Sequence, residues 1–179
     1  MNVIRLVLVS FFVLVVSTSN VVASEKSDKN SVVNQTYKQA YDEVLATFMA
    51  IAQTIDDGAG RGYDSEFMDQ LISFHAYGDK FVEFNGGVLF DSAGNEHNER
   101  ELFGDYLAED GVIQFAPKEG TLNIAVYYGN VANLTLISEF ILVNKDQVEF
   151  TVENAITLLF VKTKGEWKIV HEHHSPVPE

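Results

Sequence analysis

Five β-rich runs with very little chain between them constrain this sequence more than any other feature. They are "VIQFAP" from Val112, "TLNIAVYY", "VANLTLISEFILV", "QVEFTVENAITLLFVKT" and "WKIVHEHHS", separated by "KEG", "GN", "NKD" and "KGE". Lys, Gly, Asn and Asp in such short links are turn chemistry. Links this short predict that consecutive strands are antiparallel neighbours. In the fourth run Val148, Phe150 and Val152 alternate with polar residues, so the even positions are expected to face the core. The same parity turns Asn154 inward. From Ala155 to Val161 both faces are apolar, so that stretch is covered on both sides, by its own chain or by a partner. In the closing run, "GEWKIVHEHHSP", simple alternation puts Trp167, Ile169, His171 and His173 on one face. Lys168, Val170, Glu172 and His174 take the other.

The part before these strands reads as helical. Tyr37, Tyr41, Val44, Leu45, Phe48, Ile51, Ala52 and Ile55 recur at three- and four-residue steps, which predicts one amphipathic helix between Val32 and Ile55, ended by "DDGAGRG". "DSEFMDQLISFHA" predicts a second, capped by Asp64 or Ser65. "DKFVEFNGG" is a short strand stopped by Gly86-Gly87, and a third helix is expected around Glu99 to Ala108. Helices first and a strand meander after them is the α+β pattern, one sheet with helices on one face.

The first residues are read apart from the fold. A weakly basic start, an apolar run "LVLVSFFVLVV" and small or slim residues before Ser24 predict a signal peptide at 1–23, with cleavage after Ala23. Residues 24–31 are expected to be a flexible leader and 32–179 a single domain. The protein is therefore expected to be exported, periplasmic or secreted, with no membrane attachment after cleavage. The absence of cysteine means that no disulfide supports it. Without the signal peptide the chain keeps 11 basic and 26 acidic side chains. Such a surface repels phosphate backbones, so no nucleic-acid partner is expected.

"ITLLFVKTKGEWKIVHEHHSPVP" resembles the closing hairpin of SnoaL-like domains, in the nuclear transport factor 2-like (ketosteroid isomerase-like) superfamily. "MDQLISFHAYGDKFVEF" is similar to the family's second helix running into its first strand, and "YYGNVANLTLISEF" to its central hairpin. The resemblance implies a cone: a strongly curved antiparallel sheet wrapped around three N-terminal helices, with a pocket at the open end. It also implies a homodimer through the outer sheet face.

Several residues then become candidates. Asp79 in "YGDK" is either a turn residue or a carboxylate lining an apolar pocket, where a raised pKa would suit it to proton abstraction. His173, or His171 beside it, is either a structural strand residue or a general base. Asp79 and His173 are thus the catalytic candidates. His75, Tyr77, Tyr128, Glu139, Asn154 and His171 are candidate ligand-binding groups, with either Tyr127 or Tyr128 pointing inward. Two neighbouring histidines fall short of a closed metal shell, so neither a metal nor a cofactor is expected. The leading expectation is a domain that binds a small, mainly apolar molecule in the cone. The alternatives are an isomerase, cyclase or dehydratase moving a proton on a carbonyl compound, and a structural dimer module with a filled pocket.

Overall fold

The computed structural model describes residues 37–177. The expected signal peptide, the leader and the first turn of the first helix lie outside the described residues. Three helical segments precede or interrupt the early strands: α1 (Lys38–Gly58), α2 (Glu66–Ser73) and α3 (Ser92–Glu99). The strands are β1 (Val82–Asn85), β2 (Val88–Phe90), β3 (Leu107–Pro117), β4 (Asn123–Tyr127), β5 (Val131–Asn144), β6 (Glu149–Thr163) and β7 (Glu166–Pro176). They form one seven-stranded sheet in the order β2-β1-β7-β6-β5-β3, with β4 also on β5. None of the described helices is long and apolar enough to cross a membrane.

The sheet curls around α1. Ala40, Val44, Phe48, Ile51 and Ile55 form that helix's buried stripe, and they pack with Ile124, Val126, Leu134, Leu158 and Phe160 from the strands in one core. Ser65 caps α2, its side chain accepting from Met68 N–H. Trp167 is buried in this core, and its indole N–H donates to Glu43 Oε2 at 2.9 Å. The parity expected for β6 holds from Phe150 on: Phe150, Val152 and Asn154 line the cavity and Ile156, Leu158 and Phe160 are buried, whereas Val148 lies just before the strand and is exposed.

Three expectations are corrected. First, β3 and β4 are consecutive but do not pair. Both lie along the same edge of the 14-residue β5, β3 beside its second half and β4 beside its first. Thr121 fills the gap between them, its Oγ1 accepting from Ile137 N–H at 3.1 Å.

Second, the helix expected at Glu99–Ala108 starts at Ser92, where Asp91 Oδ1 accepts from Gly94 N–H at 2.9 Å. It then widens into a π-helical turn over Arg100–Tyr106, and Leu107 is already strand. Arg100 pins the junction by donating to Glu96, Asp69 and the Tyr63 carbonyl. The wide turn lets Gly104 press on the loop before α2: a Cβ on Gly104 would lie 2.7 Å from the Gly62 carbonyl oxygen.

The third correction decides the site. Leu159 pairs with His171, but Phe160 pairs with Ile169, so Val170 is an extra residue in β7. A bulge of this kind reverses the phase of everything beyond it. Trp167 and Ile169 face the core as expected, but Glu172 and His174 then turn inward, and His171 and His173 turn outward. The neighbouring strand confirms the phase. β1 runs parallel to β7, pairing Glu83 with Glu172, Phe84 with His173 and Asn85 with His174. Phe84 and His173 accordingly meet ring edge to ring face, 5.9 Å apart. Gly86 and Gly87, both at positive φ (56° and 86°), make the two-residue turn into β2.

Candidate functional site

Inside the cone the apolar core gives way to a polar end. Its inner chamber, about 60 Å³, is walled by Phe48, Ile51, Leu71, Phe115 and Ile169 among others, with His75, Glu99, Glu172 and His174 at one side. An adjoining chamber of about 130 Å³ opens past Leu102, Leu142, Phe150 and Val152 and carries Asn85 and Asn154. Glu99, Phe103, Phe140 and His174 border both. Together they lie well below the roughly 300–1,000 Å³ of drug-sized sites.

The polar end is a connected network. His75 leaves α2 with its Nδ1 on the Leu71 carbonyl at 3.2 Å, and its Nε2 meets Glu172 Oε1 at 3.1 Å. The carbonyl can only accept, so Nδ1 is the donor there. Asn95 is the sole fully buried residue of α3, and it bridges two carboxylates. Its amide donates to Glu83 Oε2 at 2.9 Å and to Glu172 Oε2 at 3.1 Å. The Tyr77 hydroxyl donates to Asn95 Oδ1, which fixes the orientation of that amide. Asn85 donates to the other oxygen of Glu83 at 2.9 Å. Tyr77 also stacks on His75 at 5.0 Å.

Electrostatically this is an unusual interior. Glu83 is 1% exposed and Glu172 4%. Among the described residues no lysine or arginine pairs with Glu83, Glu99 or Glu172. Burial alone would raise the Glu172 carboxyl, but the His174 and His75 imidazoles outweigh it and hold it well below the usual carboxylate range. The His174 contact is an ion pair at 3.6 Å, too long for a hydrogen bond. Burial opposes the charge on His174, yet Glu172 more than compensates and raises its pKa. Glu99 keeps some exposed surface as a residue, but its carboxyl is enclosed. That enclosure and the nearby charges of Glu172 and Glu83 push it well above its ordinary value. Burial likewise raises the Tyr77 hydroxyl, assisted by Glu99 and Glu172.

The sequence candidates divide between the inside and the outside. His75, Tyr77 and Asn154 are at the cavity or its polar network. His173 is on the outer face, its Nε2 2.6 Å from Ser175 Oγ, and His171 is on that face with it. Asp79 is exposed in the loop before β1, beside an open groove shared with Leu89 and Asp91. Tyr128 is 86% exposed in the β4–β5 turn, and Tyr127 is also exposed. Glu139 points outward and accepts from Gln114 at 2.7 Å. Asp79 and His173 are therefore not brought together, and neither borders the chambers. The sequence reading missed Glu83, Asn95, Glu99, Glu172 and His174. One signal for the last two was present: Ile156, Leu158 and Phe160 face the core at even spacing, so partners in β7 that do not keep that spacing imply a bulge.

A curved sheet wrapped over helices, hollow and polar at one end, defines a cone-shaped α+β pocket domain. The family model for the SnoaL-like domain matches residues 44–179, and the chain belongs to that family. Solved structures share the fold. A putative calcium/calmodulin dependent protein kinase II association domain from Xanthomonas campestris matches at TM-score 0.59 and 18% identity, over 76% of this chain and 87% of its own. The association domain of C. elegans CaMKII matches at 0.58 and 13%, over 79% and 99%. A nuclear transport factor 2-like superfamily protein from Salmonella enterica serovar Typhimurium matches at 0.55 and 17%, over 83% and 94%. No curated protein matches the chain.

Proposed function

We propose that this chain is an exported SnoaL-like domain that binds one small, mainly apolar molecule in the cone, with a polar group of that molecule held at the Glu99–His174 end. The observation that carries the reading is the sorting of the cavity wall: aromatic and aliphatic side chains on most sides, with polar groups gathered where α3, β1 and β7 meet. A pocket of this kind takes its affinity from the apolar wall and its orientation from a few polar contacts. The two buried glutamates, Glu83 and Glu172, disfavour an anionic ligand, so the polar group is neutral or cationic. A neutral Glu99 carboxyl can donate a hydrogen bond to a carbonyl or hydroxyl oxygen.

The same feature supports a second reading, a proton-transfer enzyme acting on a carbonyl compound. An enclosed carboxyl that keeps its proton is a general acid in waiting. In this reading Glu99 and His174 replace Asp79 and His173 as the pair to test. The outer sheet face, where Phe84 meets His173 and Leu159 pairs with His171, is the surface we propose for a homodimer. The association-domain neighbours support this only as relatives in fold.

Filling the outer chamber tests the pocket that both readings need, and a change at Glu99 separates them. Val152→Phe is expected to abolish binding of small ketones or phenols in a thermal-shift screen while leaving the circular dichroism unchanged. Glu99→Gln is expected to weaken binding at most tenfold if the protein only binds, and to stop turnover if it is an enzyme. Undiminished binding in Val152→Phe would sink the pocket reading.

A further inference from the structure

We propose that Glu83, Glu172 and His174 form a binding site for a divalent first-row transition metal at the inner wall of the cavity. One carboxylate oxygen from each glutamate and one nitrogen of His174 lie within 4.8 Å of one another. The two glutamates sit opposite each other on the parallel strands β1 and β7, and His174 is two residues further on the same face. The rigid sheet therefore fixes all three Cα positions. Tetrahedral donors around zinc, with bonds of about 2.0–2.2 Å, stand roughly 3.4 Å apart. The His174 Nε2 to Glu172 Oε2 separation is already 3.6 Å. The Glu83 carboxylate lies no more than 4.8 Å from the other two donors, a gap that a rotation of its side chain would close.

Two further observations point to a bound cation rather than to a mere acidic patch. His174 Nε2 is fully enclosed and has no hydrogen-bond partner among the described residues. A buried nitrogen without a partner is costly, and a metal ion satisfies it. Glu83 is 1% exposed, yet among the described residues only the amides of Asn85 and Asn95 donate to it. Amides satisfy its lone pairs but bring no charge, and the one imidazole beside the two carboxylates, His174, is already paired with Glu172, so the two buried carboxylates are short of countercharge. A divalent ion neutralises Glu83 and Glu172 together.

The surroundings supply the supports that metal ligands need. His75 holds the distal oxygen of Glu172, and Asn95 clamps both carboxylates. Two oxygens and one nitrogen favour zinc, manganese or iron over the all-oxygen shells of calcium and magnesium. Glu172 and His174 both border the inner chamber, so the remaining coordination position faces the cavity. Three protein donors with one open position is the pattern of a reactive rather than a sealed site. The site shares His174 with the small-molecule reading, but its test is independent of that reading, because metal alone is the probe.

The experiment uses the full chain, stripped with chelator and titrated with Zn²⁺ by calorimetry, with Co²⁺ absorption as a second readout. One Zn²⁺ per chain is expected, with a rise in melting temperature and visible Co²⁺ bands of a four- or five-coordinate site. Glu83→Gln and His174→Gln should each weaken Zn²⁺ binding at least 100-fold. The double variant His171→Gln/His173→Gln should bind within twofold of wild type. Glu83→Gln is nearly isosteric, so it carries the test if His174→Gln does not fold. No stoichiometric binding would overturn the proposal. So would binding that survives Glu83→Gln, or binding lost in the outer-face double variant.

Discussion

The two ends of the cone belong to one sheet and obey different rules. At the closed end Val44, Ile124, Val126, Ala132, Leu134 and Phe160 are 0–1% exposed and pack solidly. At the other end the same sheet buries Glu83, Glu172 and Asn95 around a hollow. The division falls close to Val170. Before it β7 contributes Trp167 and Ile169 to the core, and after it the strand contributes Glu172 and His174. One extra residue thus turns a core strand into a site strand. The closed end supplies the stability that lets the open end hold charges in the interior.

The largest effect that would test this division is at the closed end. Phe160→Ala leaves a cavity in a region with no slack and is expected to cost about 3–5 kcal/mol, read by urea unfolding. A cost below about 1 kcal/mol would show that the closed end is not solid. His75→Ala at the polar end should cost a little less, about 3 kcal/mol, because it leaves Glu172 without one of its imidazoles. His75 and Glu172 are both buried, so solvent screening does not excuse a smaller value.

A change of sign should appear at Glu99. Its carboxyl pKa is raised in the fold above the ordinary value of 4.5. Between those two values the folded state holds a proton that the unfolded state has released. The wild type therefore loses stability as pH rises above about 4.5 until the folded group ionises. Glu99→Gln should remove that loss and be the more stable protein at pH 8, in melts compared from pH 4 to pH 8. Parallel curves would contradict the enclosed, protonated carboxyl. The smallest effect lies outside both ends. Thr121→Val removes the hydroxyl that accepts from Ile137 in the gap between β3 and β4, and about 1 kcal/mol is expected.

The same division explains what could be read from the sequence. The closed end is apolar and periodic, so α1, α2, the long strands and their turns follow from residue spacing, and the cone follows from the closing hairpin's likeness to its family. The polar end carries no such signal. Ser92–Glu99 has no apolar stripe and buries only Asn95, so its helix escaped a reading based on hydrophobic spacing. The pairing of β1 with β7 joins residues nearly 90 positions apart and leaves no local trace. Alternation placed His171 and His173 inside because it assumes an unbroken ladder, and the bulge at Val170 breaks it. Asp79 and Glu139 are conspicuous in the sequence, yet both are directed to solvent or to the outer face.

The phase of β7 past Val170 is the claim on which the site rests, and thiol labelling measures it directly because the chain has no cysteine of its own. His173→Cys and His174→Cys variants would be reacted with a maleimide under native conditions, each checked for folding. In protein diluted until the proposed dimer dissociates, fast labelling is expected at 173 and labelling at least tenfold slower at 174. The reverse order would mean that His173 faces the cavity, and the polar end described above would not exist.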